Sequence, residues 1–158
     1  MGAAGAGKTT IGAALAAELG WPFVDGDDRH PRGNVEKMHA GLPLTDADRA
    51  PWLASLRATM ARTLERREHL VLACSALKRT YRESLRGDLR GVRFVYLKAS
   101  EAALSQRLST RTGHFAGPNL LQSQLAALEE PWPDEAWVID ATWPRERILG
   151  AIRREFGI

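Results

Sequence analysis

Four short apolar runs, rich in β-branched and aromatic residues, punctuate the chain at residues 22–24, 70–74, 92–97 and 137–139. Each is followed by small or polar residues and then by a stretch whose apolar positions recur at helical spacing. That spacing predicts helices at residues 8–19, 46–68, 101–112, 118–128 and 145–156. Strand alternating with helix predicts an α/β chain with a parallel sheet and helices on both faces. Ligands in such sheets bind beyond the C-terminal ends of the strands. The polar residues there are Asp25 and Asp27, Ser75 and Lys78, Ser100, and Asp140 to Thr142.

Composition narrows the picture. A chain of 158 residues, 44% hydrophobic and 26% charged, fits one soluble domain spanning residues 1–158. No apolar run approaches the roughly 20 residues of a membrane span, and no signal-peptide pattern opens the chain. The single cysteine, Cys74, cannot form a disulfide within the chain, which fits a reducing cytoplasm. The net charge of +3 comes without dense basic runs, so nucleic acid is not expected as a partner.

The N-terminus changes the picture most. Gly2-Ala3-Ala4-Gly5-Ala6-Gly7-Lys8-Thr9 satisfies the phosphate-loop pattern G-x-x-x-x-G-K-[ST] at every fixed position, and an apolar-faced helix follows. Backbone N–H groups of Gly2, Gly5, Ala6, Gly7, Thr9 and Thr10 are expected around ATP phosphates, with Lys8 as a point charge and the Thr9 hydroxyl on Mg²⁺. A phosphate loop ordinarily follows a buried central strand, and only Met1 precedes Gly2. The sheet is therefore expected to lack its first central strand, with Met1 an internal methionine of a longer natural chain.

Past the first run stands Val24-Asp25-Gly26-Asp27-Asp28-Arg29-His30-Pro31. Two carboxylates one residue apart suit a division of labour: one serves Mg²⁺, the other takes the proton of an acceptor hydroxyl. An acidic turn before a helix would look similar. No Asp ends the 70–74 run, so Asp25 is assigned to the metal and Asp27 to the base, an assignment that could be reversed.

Several further segments stand in order: Asn34-Val35-Glu36-Lys37-Met38, Gly41 to Arg49 with Pro51-Trp52-Leu53, Cys74 to Lys78 with Tyr81-Arg82, Tyr96-Leu97, Arg107-Leu108, Arg111, Gly113-His114-Phe115 and Leu128 to Pro131. With the loop and the acidic pair, they make the chain resemble the P-loop gluconate kinases along nearly its whole length. The resemblance implies ATP-dependent phosphorylation of gluconate with Mg²⁺, and often a homodimer. It also implies an acceptor-binding insertion near residues 28–68 and a lid near 107–120. The stretch Ala116-Gly117-Pro118-Asn119 is less polar than the family pattern.

A carboxylate-bearing acceptor needs cations or donors, and His30, Arg49, Lys78 and Arg82 are candidates beside Asp27, with His114 from the lid. Arg107 and Arg111, at i, i+4, are assigned to the nucleotide, and Arg111 also to charge neutralisation during transfer. A solvated face would equally place Lys78 and Arg82 at that spacing. Trp52 is assigned to packing. Shikimate, another small anionic acceptor, and a non-catalytic nucleotide-binding role remain as alternatives.

Overall fold

The computed structural model describes residues 1–110 and 118–158. Helix α1 (Lys8–Leu19) leads to β1 (Phe23–Asp25), a 3₁₀ turn (Asp27–Arg29) and α2 (Arg32–His39). Helix α3 (Asp46–Glu65), β2 (Val71–Ala73) and α4 (Arg79–Arg86) follow, then β3 (Val95–Lys98), α5 (Glu101–Ser109), α6 (Pro118–Ala127), β4 (Trp137–Asp140) and α7 (Arg145–Phe156). The five expected helices are present, three of them ending one to three residues early. The sequence reading missed α2 and α4. Each has only eight residues, several of them charged, too short a stretch to register as a helix by apolar periodicity. They form because tertiary packing buries Asn34 on α2, and Tyr81, Arg82 and Leu85 on α4.

The strands pair in parallel, β1 with β2 and β3 with β4, as the alternation predicted. The two ladders are not joined to each other. Between β2 and β3 lies a cavity of about 360 Å³ bordered by Val71, Leu72, Val95 and Leu97, at the place where the sheet reading put a central strand. Met1 and Gly2 reach across it. The Met1 amine donates to Val95 O, Leu97 N–H donates to Met1 O at 3.0 Å, and Gly2 N–H donates to Ser75 O at 3.1 Å. The root of the phosphate loop is thus tied to both ladders.

Helices cover these strands through two apolar clusters. Ile11, Leu15, Leu97, Leu104, Leu121, Ile139, Ile148 and Ile152 join α1, α5, α6 and α7 to β3 and β4. Trp52, Leu53, Leu56, Tyr81 and Leu85 join α3 and α4 beside β2. Helix α3 carries Arg49, an expected acceptor residue, so its entry angle matters. A capping box sets it: Thr45 Oγ1 accepts from Asp48 N–H, and Asp48 Oδ2 accepts from the Thr45 N–H at 2.9 Å. Lys37 from α2 donates to the other Asp48 oxygen at 2.6 Å.

The Lys37 ammonium and the two Thr45 donors pull the Asp48 carboxyl down to about 2. A depressed carboxyl stabilises the fold above its unfolded value near 3.8, and that contribution is lost as pH falls through about 2. Asp48→Asn is expected to melt at lower temperature than wild type at neutral pH, and the gap should close between pH 4 and 2. Thermal melts across that range read the convergence. A constant gap would remove Asp48 from the acid transition.

Candidate active site

The cradle is assembled from the loop and the start of α1. Gly7 caps α1 and offers no side-chain acceptor, so the first-turn N–H groups stay available to an anion. Gly5 sits at φ 81°, and a Cβ there would lie 3.0 Å from the Leu104 carbonyl oxygen. Only glycine accommodates both that conformation and that approach to α5. Gln124 Oε1 on α6 accepts from Ala4 N–H at 2.7 Å, a loop anchor the sequence reading missed. Lys8 Nζ arches back to Ala3 O at 3.1 Å. Arg107 braces the same loop from α5, donating to Gly5 O at 3.3 Å and to Ala141 O, just past β4, at 2.7 Å. Arg107 therefore stands at the junction of the phosphate loop and the segment Thr142-Trp143-Pro144. Arg111 and His114 lie outside the described residues, as do all of residues 111–117 of the expected lid.

The acidic pair meets the cradle at the end of β1. Thr9 Oγ1 donates to Asp25 Oδ2 at 2.7 Å, and Asp27 N–H donates to Asp25 Oδ1 at 3.1 Å. Two oxygen donors expected to serve one metal ion are thus adjacent, beside helix N–H groups suited to phosphate. Hard oxygens next to phosphate are the donor set that Mg²⁺ prefers, because it keeps several waters and binds through one or two side chains. The residues present fit Mg²⁺ on chemistry. The bend after Asp25 depends on Gly26: its N–H donates to Ala73 O at 2.7 Å, and a Cβ would lie 2.7 Å from that same oxygen. Any larger residue would push β1 off β2 and separate Asp25 from Thr9.

Helix α3 packs on the turn that carries Asp27. It brings Arg49 close enough to His30 for its charge to act on the imidazole. Lys78, at the start of α4, donates to both carboxylate oxygens of Asp46 at 2.9 and 2.8 Å. The Tyr81 hydroxyl also donates to Asp46, and Arg49 lies 3.4 Å from that hydroxyl. Both cations lie over the Tyr81 ring, Lys78 at 5.4 Å and Arg49 at 5.7 Å from its centroid. The Lys78 and Tyr81 hydrogen bonds hold the Asp46 carboxyl below its usual value. The same carboxylate raises Lys78, and burial raises Tyr81. Neither Asp46 nor Tyr81 carries a motif signal of its own. Nothing in linear spacing reveals that residues 46, 49, 78 and 81 converge.

Arg82 departs from expectation. It is 2% exposed, and its guanidinium donates to Ala76 O, Leu77 O and Glu129 O and pairs with Glu135 at 3.2 Å. The carbonyls after β2 and α6 supply acceptors for its terminal nitrogens, while its Nε has no hydrogen-bond partner among the described residues. The structure spends Arg82 on holding that corner together and does not bring it to the acceptor side. Trp52 does pack, at 2% exposure. It also donates Nε1–H to Gly26 O at 2.7 Å and stacks on His30, with centroids 4.2 Å apart and planes at 17°.

Known proteins resemble this chain in sequence and fold. The AAA domain family model matches residues 1–131. The gluconokinase of Gluconobacter oxydans (strain 621H) is 53% identical over 135 residues, covering 85% of this chain and 76% of that protein. A sugar kinase from Janibacter sp. HTCC2649, solved without ligand, superposes with a TM-score of 0.93 at 42% identity, over 100% of this chain and 92% of the other. A gluconokinase from Sinorhizobium meliloti 1021 superposes with a TM-score of 0.85 at 41% identity, over 99% and 93%. Identity of that order, held over most of both chains and matched by the fold, leads to one conclusion: this chain belongs to the gluconokinase family of P-loop kinases.

Proposed function

We propose that the protein transfers the γ-phosphoryl group of ATP to the 6-hydroxyl of D-gluconate, yielding 6-phosphogluconate and ADP. The observation that carries the reading is the Thr9–Asp25–Asp27 junction, where a phosphate cradle and a pair of carboxylates share one strand end. The loop N–H groups and Lys8 hold and neutralise the phosphates. Thr9 and Asp25 hold Mg²⁺, which when bound supplies positive charge to the phosphate oxygens. Asp27, one residue past the bend, takes the proton of the acceptor hydroxyl as that oxygen attacks. Arg49 and Lys78 attract the acceptor carboxylate, in competition with Asp46. Arg111 is assigned to charge neutralisation during transfer and His114 to the acceptor.

The enzyme would act in the cytoplasm. Among the described residues no helix is long and apolar enough to cross a membrane. Burial pushes the Cys74 thiol up to about 11, which keeps it unreactive.

The test is an ADP-release assay coupled to lactate formation, run across gluconate, other aldonates, shikimate and nucleosides. Gluconate should stand first. Neutral glucose should be at least about a hundredfold poorer in kcat/KM, because it offers no carboxylate to the part-exposed Arg49 and Lys78. Lys78→Ala should narrow that ratio by raising KM for gluconate while leaving glucose unchanged. Comparable specificity constants for glucose and gluconate would show that Arg49 and Lys78 do not read the carboxylate. Turnover with none of these acceptors would favour a non-catalytic nucleotide-binding role.

A further inference from the structure

The contacts around His30 decide where its proton resides. Asn34 is 5% exposed, at the start of α2. Its side-chain nitrogen lies 2.8 Å from Asp48 O and 3.3 Å from His30 Nδ1. A backbone carbonyl only accepts, so the group facing it must be the amide nitrogen, and this orients the Asn34 side chain. The second hydrogen on that nitrogen then faces His30 Nδ1, which must offer a lone pair. A neutral imidazole carries one proton, so with Nδ1 accepting, the proton sits on Nε2, at the opposite edge of the ring. The plane of the ring is set separately. Trp52 stacks on it, and the Trp52 indole N–H is anchored to Gly26 O, between the two catalytic carboxylates.

The charged groups acting on the ring oppose each other, Asp27 favouring a second proton and Arg49 disfavouring it. Burial is the larger influence and holds the imidazole below its ordinary value. The ring is therefore kept neutral at physiological pH, in agreement with the hydrogen-bond geometry.

We propose that Asn34 and Trp52 are positioning residues that present His30 to the sugar-acid acceptor as a neutral imidazole with its proton on Nε2. His30 is then a hydrogen-bond donor to an acceptor oxygen, neither a cation nor a base, and the base role stays with Asp27. The inference rests on the reading that the acceptor binds beside Asp27.

The first test is a long-range ¹H–¹⁵N correlation spectrum of the full chain labelled at histidine nitrogen, without ligand, with His30 assigned by its loss in His30→Gln. At pH 7 the expected pattern is a pyridine-like Nδ1 and a pyrrole-like Nε2. In Asn34→Asp, whose carboxylate accepts a proton from Nδ1, the pattern should reverse. A pyrrole-like Nδ1 or a doubly protonated ring in wild type would overturn the proposal. The second test compares His30→Gln, whose amide nitrogen falls near the place of Nε2, with His30→Asn, whose nitrogen falls near Nδ1. KM for gluconate should be about tenfold higher in His30→Asn, the scale of one hydrogen bond, with KM for ATP alike in both. Equal KM values for gluconate would overturn the donor role. The spectrum is read without acceptor, so it stands whichever acid is phosphorylated. If wild type ignores gluconate, the substrate reading fails by itself, and the kinetic comparison moves to the acid that is turned over.

Discussion

Asp27→Asn is expected to lower kcat by about a hundredfold or more, the usual scale for loss of a general base, while ATP binding stays close to wild type. The physical reason is position. Asp27 opens the turn after β1, and its own N–H, which the substitution leaves in place, holds Asp25 Oδ1 at 3.1 Å. The metal side of the site therefore survives when the base is neutralised. Asp25→Asn makes the opposite experiment. It removes the charge beside Thr9 Oγ1, so the Mg²⁺ concentration for half-maximal rate should rise by about tenfold or more, with partial recovery of rate at saturating Mg²⁺. Steady-state kinetics at varied Mg²⁺, with nucleotide binding measured calorimetrically, separate the two carboxylates. If Asp27→Asn shifts the Mg²⁺ requirement and Asp25→Asn does not, the two roles are exchanged. If neither variant changes turnover or Mg²⁺ requirement, the pair is not catalytic.

Lys8→Ala is expected to fold normally and lose between about a hundredfold and ten-thousandfold in kcat/KM. The Lys8 side chain gives the loop a bond to Ala3 O, and the backbone around it is held independently by Ala6 N–H to Ala3 O, Ala4 N–H to Gln124 and Arg107 to Gly5 O. Each charge-assisted hydrogen bond from Lys8 to phosphate contributes about 1.5–3 kcal/mol, and two such bonds account for the range. Circular dichroism and thermal melts check the fold, and the ADP-release assay checks the rate. Lys8→Arg should recover little, because the planar guanidinium replaces a compact ammonium in a cradle shaped around one. A Lys8→Ala enzyme with near-wild-type turnover would remove the phosphoryl-transfer mechanism altogether.

How far the sequence alone reached follows from the range of the interactions involved. The phosphate loop was legible because its chemistry is local: glycines, a lysine and a hydroxyl within eight residues dictate a backbone path and an anion site together. The parallel α/β architecture was legible because apolar periodicity is also local, and α1 and α7 fall where the periodicity placed them. The pairing of Asp25 with the phosphate loop needed only the rule that ligands gather at strand ends. The acceptor side obeys no such local rule. Lys78 and Arg82 stand four residues apart on one short helix, and spacing treats them as equals. Tertiary structure separates them: Lys78, at the helix start, turns to Asp46, while Arg82 is drawn into the interior to satisfy three carbonyls and Glu135. Likewise the indole of Trp52 was legible as apolar bulk, but its N–H bond to Gly26 and its stacking on His30 exist only once α3 crosses the end of β1. Sequence by itself determined the strands, the longer helices and the phosphate loop, because these depend on neighbours along the chain. Only the folded chain decided which cations stay part-exposed beside Asp46 and which are drawn inside to hold the structure, because burial and long-range partners set the cost of leaving each charge unpaired.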